Sequence, residues 1–139
     1  MGKAGRELRL LVKTRGMTMH KILMKRVYDE QDKTDGYRVL VDRLWPRGVK
    51  KAELAYDLWA KEITPSADIR KAFNHEEAKF AEFKQNYLYE LNENDAIDSF
   101  LETLSEKLKT KNVTLLYAAK DEKINHVVIL KDWLEENLT

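Results

Sequence analysis

The segment 42–48, Asp-Arg-Leu-Trp-Pro-Arg-Gly, concentrates residue types that can bind an anion. Arg43 and Arg47 supply two guanidinium groups, and a guanidinium binds phosphate or carboxylate oxygens through paired hydrogen bonds. Gly48 lets backbone N–H groups approach a ligand closely, and Trp45 adds a flat apolar surface. We therefore expect an anion-binding turn in this segment.

Asp42, the first residue of the segment, is a candidate acid or base for hydrolysis or group transfer. A structural interpretation competes with this one. In it, Asp42 pairs with Arg43 to end a strand, and Trp45 packs over the edge of the sheet. The sequence favours neither interpretation over the other.

A second group of polar side chains follows an apolar run near the end of the chain. It consists of Tyr117, Lys120, Asp121, Asn125 and His126. Lys120 would add positive charge near a helix N-terminus, which itself attracts anions, and His126 could transfer a proton near neutral pH. Alternatively, Asp121 or Asn125 only caps the last helix, and His126 only hydrogen-bonds a neighbouring backbone group.

A third segment, 59–66, contributes Lys61 as a further candidate ligand residue. If this segment is a strand, Lys61 and Glu62 point to opposite faces, so at most one of them lines a crevice. Ser66 is expected to be a helix cap, because no Gly-x-Ser-x-Gly motif surrounds it. The sequence assigns no cofactor and no metal, since glycine-rich nucleotide loops and His-Glu-x-x-His are absent.

The elements expected to position these residues are those of an α/β protein. Strands are predicted at 20–28, 37–42, 55–63 and 113–119, and helices from Thr64-Pro65, over 76–91, after Asn94 and after the loop 120–123. We expect a single three-layer domain with a mostly parallel sheet and flanking helices. In such sheets the ligand crevice lies beyond the carboxyl ends of the strands, where all three segments would meet.

The distribution of charge separates the first residues from the rest of the chain. The 139 residues carry a net charge of +1, but residues 1–26 hold eight Lys or Arg against one acid. We expect a basic, disordered extension at 1–18 and a single domain at 19–139. An acidic body argues against a nucleic-acid-binding surface. The absence of cysteine and of a membrane-length apolar run favours a cytoplasmic protein.

Motifs along the chain also resemble a known family. They are Arg26-Val-Tyr-Asp29, Asp35 to Gly48, Trp59-x-Lys-Glu62, Thr114-Leu-Leu-Tyr-Ala118 with Lys120-Asp121, and Asn125-His126. In this order they resemble the YeaO-like branch of domain-of-unknown-function family 488, over about residues 20–136. The strand Leu40-Val-Asp-Arg43 is also loosely similar to a rhodanese-like strand. The resemblance implies no established activity.

Other branches of that family carry cysteine at the positions of Tyr117 and Asn125, so sulfur transfer or cysteine-phosphatase chemistry has no thiolate here. Three hypotheses follow. The first is a site for a small phosphate- or carboxylate-bearing molecule, with hydrolase or transferase chemistry through Asp42 or His126. The second is a non-catalytic binding or regulatory module, and the third is nucleic-acid binding by the N-terminal arm.

Overall fold

The computed structural model describes residues 20–138. The predicted disordered extension at 1–18 lies outside these residues. Within them, no helix combines the length and the apolar character needed to cross a membrane.

In the described part of the chain, four parallel strands form one sheet in the order β1-β4-β2-β3. The strands are β1 (Ile22–Arg26), β2 (Tyr37–Leu40), β3 (Leu58–Trp59) and β4 (Val113–Tyr117). All five residues of β4 are buried, as expected for a central strand covered on both faces. The predicted α/β class is confirmed, and the carboxyl ends of all four strands lie along one edge of the sheet.

Within residues 20–138, four α-helices pack together on one face of this sheet. They are α1 (Ala67–Phe73), α2 (Phe80–Glu93), α3 (Ile97–Leu108) and α4 (His126–Leu138), with 3-10 helices at Lys33–Asp35, Lys61–Ile63 and Glu77–Lys79. The stripe Leu101, Leu104 and Leu108 of α3 is fully buried in the main core with Leu115 of β4. Burial of such an apolar stripe is what holds an amphipathic helix in place.

The opposite face of the sheet is covered by loops. Leu40 and Leu116 point to this face, where Trp45, Val49 and Leu54 pack against them in a second, smaller core. The three layers are therefore helices, sheet and loops. The loop layer follows β2 directly, so its first residues stand at the carboxyl edge of the sheet.

Besides shifts of a few residues at the ends of other elements, two elements differ from the sequence-based expectation. The strand predicted at 55–63 is only Leu58–Trp59, and Lys61–Ile63 is a 3-10 helix that buries Ile63. The prediction that Lys61 and Glu62 point to opposite faces of a strand is therefore wrong. Thr64 closes this 3-10 helix by donating its backbone N–H to Lys61 O, so the next helix, α1, begins only at Ala67 with Ser66 as its N-cap residue.

Candidate functional site

A cleft of about 460 Å³ opens at the carboxyl edge of the sheet. Its walls come from residues 42–47 after β2, residues 118–119 after β4, Asn125 and His126 at the start of α4, and the end of α1 with the two residues beyond it. Loops leaving neighbouring parallel strands meet at this edge, which is where α/β proteins commonly bind ligands. We call this space the cleft.

Asp42 joins the two central strands at the base of the cleft. Its Oδ2 accepts a hydrogen bond of 2.9 Å from the backbone N–H of Ala118, just beyond β4. Burial raises the pKa of Asp42 to about 6, although the hydrogen bond from Ala118 works against that rise. Asp42 therefore changes charge about two pH units above an ordinary aspartate.

His126 lies beside Asp42 in the cleft. Its Nε2 lies 2.7 Å from the carbonyl oxygen of Val41 and 3.6 Å from Asp42 Oδ1. Because a carbonyl oxygen only accepts, Nε2 carries a proton and donates it to Val41. Burial lowers the pKa of His126 to about 4, and the positive charge of Arg70 adds to that fall. The imidazole is therefore neutral at neutral pH.

Arg43 is fixed in the cleft wall by backbone carbonyls. Its Nε donates to Pro65 O at 3.2 Å, and its Nη2 donates to Thr64 O at 3.3 Å. Arg43 and Asp42 thus each bond to backbone groups. Arg47 is exposed at the rim.

Arg70, near the end of α1, has a different environment. Its Nε is buried, and it has no hydrogen-bond partner among residues 20–138. A buried donor without a partner costs about 1–3 kcal/mol. With Arg43, Arg47 and Lys71, it gives the cleft lining four cationic side chains, against the single carboxylate of Asp42.

The two cleft residues that follow α1 have left-handed backbone conformations. Asn74 has φ 48° and His75 has φ 57°. Asparagine often adopts this conformation at a helix C-terminus, and at both positions a side chain carries a backbone cost that glycine does not. The His75 ring is tilted against Phe73, with 5.9 Å between the ring centroids.

Trp45 has a packing role as well as a place in the cleft. Its ring meets Trp59 and Tyr56 edge-on, at centroid distances of 5.5 and 5.7 Å. Its Nε1 donates to Val49 O at 2.6 Å, which closes the turn that contains Pro46. The indole therefore anchors the loop that carries the cleft arginines.

The structure brings together six of the eleven residues predicted for the site. Lining the cleft are Asp42, Arg43, Trp45, Arg47, Asn125 and His126. Asn125 is also the N-cap of α4, because its Oδ1 accepts from the backbone N–H of Val128 at 2.9 Å. The side chain of Asn125 thus both caps α4 and lines the cleft.

The other five predicted residues lie outside the cleft lining: Gly48, Lys61, Tyr117, Lys120 and Asp121. Tyr117 is buried in the helix-side core, and the Nζ of Lys61 sits 4.3 Å from the centroid of the Trp59 ring. Asp121 accepts from the backbone N–H groups of Lys123 and Ile124, which holds the loop before α4. Lys120 is exposed. Gly48 has φ 79° and serves the turn.

The predicted site residues did not include those that α1 brings to the cleft, which are Arg70, Lys71, Phe73, Asn74 and His75, or Phe83 of α2. They do not follow a strand, so the rule that locates crevices at strand ends does not select them. The one available signal is the pair Arg70-Lys71 near the end of a short amphipathic helix. His75 is exposed and lines the cleft rim.

The described part of the chain contains no group of three or more His, Asp or Glu residues that could hold a metal ion. In the cleft lining, cationic side chains outnumber the one carboxylate.

Comparisons with known proteins place the chain in a family. Residues 21–139 match the family described as the inactive DUF488-N3 subclade. The uncharacterised protein YeaO of Escherichia coli (strain K12) is 50% identical over 113 residues, covering 81% of this chain and 96% of that protein. Uncharacterised proteins of Mycobacterium bovis and Mycobacterium tuberculosis are 38% identical over 77 residues, covering 55% of this chain and 65% of each relative.

No solved structure matches the chain. The match to the family covers almost the whole of the described domain, including every segment that lines the cleft. The chain belongs to the DUF488 family, in its YeaO-like, inactive DUF488-N3 subclade.

Proposed function

We propose that this chain binds a small phosphate- or carboxylate-bearing molecule in the cleft and releases it unchanged. Arg43, Arg47, Arg70 and Lys71 supply the positive charge, and Asp42 and His126 form the floor. Such a site serves as a binding or regulatory module.

The observation that carries this proposal is the buried Nε of Arg70, which has no partner among residues 20–138. Buried polar groups in folded proteins are almost always hydrogen-bonded, so Arg70, which also lines the cleft, is a cation of the lining with a donor that the described chain leaves unused. An anion is the ligand that fits, since a guanidinium only donates. The neighbouring cations favour an anion over a neutral acceptor.

The absence of turnover rests on the state of the floor residues. The Nε2–H of His126 donates a hydrogen bond to Val41 O, and the pKa of about 4 makes the imidazole a weak base. The sequence offers no cysteine nucleophile. The description of the subclade as inactive agrees with this reading.

The experiment is calorimetric titration with methyl phosphate and with acetate, for the wild type and for Arg70→Met. The matched control is Lys111→Met, which removes one positive charge just before β4, at the opposite edge of the sheet. We expect Arg70→Met to weaken binding at least about tenfold and Lys111→Met to leave it unchanged. Equal loss in both variants would reduce the effect to net charge. Binding of neither anion to the wild type would refute the proposal.

A hydrolase or transferase is the second candidate, favoured by the pKa of about 6 at Asp42. A carboxyl that titrates near neutrality suits general acid–base catalysis. Incubating the protein with phenyl phosphate and measuring phenol release distinguishes the two candidates. Release that is abolished in Asp42→Asn would establish catalysis, and binding without release would support the binding module.

A further inference from the structure

The cleft is larger and more apolar than an inorganic anion requires. Its volume of about 460 Å³ falls within the range of about 300–1,000 Å³ found for pockets that bind drug-sized molecules. Leu44, Pro46, Ala118 and Ala119 add apolar surface beside the arginines. Leu44 is 71% exposed, the highest fraction among the exposed large apolar residues at 20–138.

The ring of His75 adds a flat surface at the rim of the cleft. The backbone conformation of this residue, with positive φ, costs folding free energy. A non-glycine residue with positive φ is strained by about 1–2 kcal/mol, and strained residues cluster where ligands bind. The left-handed pair Asn74-His75 reverses the chain after α1 and leaves the imidazole exposed at the cleft. Phe73, on which that ring rests, also lines the cleft.

We infer that the anion bound in the cleft carries a flat apolar group, such as an aromatic ring, which packs on His75 while the anionic group meets Arg70. The inference rests on the proposed function and narrows its ligand class. Inorganic phosphate or acetate would use the cationic part alone. An aryl phosphate or aryl carboxylate would use both parts.

Two phosphate esters of equal charge test the inference. Methyl phosphate presents the anionic group with one carbon, and phenyl phosphate presents the same group with a ring. We expect phenyl phosphate to bind the wild type at least about tenfold more tightly than methyl phosphate in calorimetric titration. Phenol, the ring without the anion, should not bind measurably.

The variant His75→Gly tests where the ring lies. Glycine adopts positive φ freely, so this variant keeps the backbone path and removes only the imidazole. We expect the affinity ratio of phenyl to methyl phosphate to fall at least about threefold, with the affinity for methyl phosphate unchanged. Tyr89→Ala is the control, because Tyr89 is an aromatic residue of α2 that is 69% exposed outside the cleft.

The outcomes separate this inference from the proposed function. Equal affinities for the two esters would overturn the inference and leave anion binding standing. Binding of neither ester would refute both, as would phenol binding as tightly as phenyl phosphate. An unchanged ratio in His75→Gly would overturn the position given to the ring.

Discussion

Two arginines of this molecule, each with a buried side-chain nitrogen, have opposite surroundings. Arg38, in β2, is 4% exposed and pairs with the buried carboxylate of Asp35, which Lys25 also contacts at 2.8 Å. Its Nε donates to Ala55 O at 2.7 Å. Arg70 at the cleft has a buried Nε with no such partner in the described chain. The described chain supplies hydrogen-bond partners for Arg38 but none for the Nε of Arg70.

The carboxylate of the satisfied cluster shows how fully its charges are matched. Burial alone would raise the pKa of Asp35, but hydrogen bonds from Lys25, from the Asp32 backbone and from Arg38 outweigh burial and lower it. Asp35 also accepts, at its carbonyl, the hydroxyl proton of Thr114 at 2.7 Å. The cluster thus ties β1, β2 and β4 together on the loop-covered face.

In our proposal, this difference separates a cation that stabilises the fold, Arg38, from a cation that binds a ligand, Arg70. A buried ion pair with all partners present contributes to the architecture, and removing one member is costly. A buried donor without a partner costs the unliganded chain free energy of folding. The predictions below test this distinction, beginning with the largest expected effect on stability.

Asp35→Ala should destabilise the protein by about 3–5 kcal/mol, because it leaves Arg38 charged, buried and without its carboxylate. Urea unfolding followed by circular dichroism measures the loss. The control is Glu106→Ala, which removes the exposed pair with Lys109 and should cost less than about 1 kcal/mol. Similar losses in the two variants would show that the Asp35 cluster is no more than a surface pair.

Substitutions at the two residues of the cleft floor, Asp42→Asn and His126→Gln, should change the stability of the protein with opposite pH dependences. Asp42 has a raised pKa of about 6, so in the wild type its contribution to stability falls as pH rises from about 4 to 6. His126 has a lowered pKa of about 4, so its contribution falls as pH drops from about 6.5 to 4.

Asp42→Asn should therefore gain stability relative to the wild type as pH rises through this window, and His126→Gln should gain as pH falls. Each change should be of the order of 2 kcal/mol. The measurement is urea unfolding of the three proteins across the window at constant ionic strength. Differences that do not vary with pH would contradict the role of burial at these two groups.

His75→Gly should stabilise the unliganded protein by about 1 kcal/mol, since it relieves the positive φ of 57°. Asn74→Gly should gain less, because asparagine tolerates the same conformation better. Thermal unfolding compares the two variants directly. A loss of stability in His75→Gly would mean that the ring packing on Phe73 outweighs the strain.

Arg70→Met should leave the stability of the unliganded protein unchanged or raise it, by at most the roughly 1–3 kcal/mol that an unpaired buried donor costs. Replacing an unpaired donor by an apolar side chain of similar length removes an unsatisfied group. Denaturant unfolding in chloride buffer gives the value. A loss as large as that of Asp35→Ala would place Arg70 among the structural cations and remove the contrast.

The sequence predicted the fold class and the edge of the sheet that carries the cleft. Continuous apolar runs such as 113–117 identify buried parallel strands, and parallel strands bring their carboxyl ends together. That reasoning reached Asp42, Arg43, Asn125 and His126. The same reasoning did not assign Arg70 or His75 to the site, because the position of α1 depends on helix packing between residues distant in sequence.

The short β3 and the 3-10 helix at Lys61–Ile63 show a second limit. The run 55–63 alternates loosely, a pattern shared by a strand and by a turn with one buried side chain. The burial of Ile63 decides between them, and that burial comes from the tertiary core. The prediction that Lys61 belongs to the site depends on a longer strand, and the strand in the structure ends at Trp59.

The most direct test of the contrast is the stabilisation that a ligand gives to each protein. The free energy of unfolding is measured for the wild type, Arg70→Met and Lys111→Met, with methyl phosphate or with chloride at equal ionic strength. At about 100 times its dissociation constant, methyl phosphate should stabilise the wild type and Lys111→Met by about 2.7 kcal/mol and Arg70→Met by much less. Equal stabilisation of all three proteins, or of none, would contradict the assignment of Arg70 to an anion site.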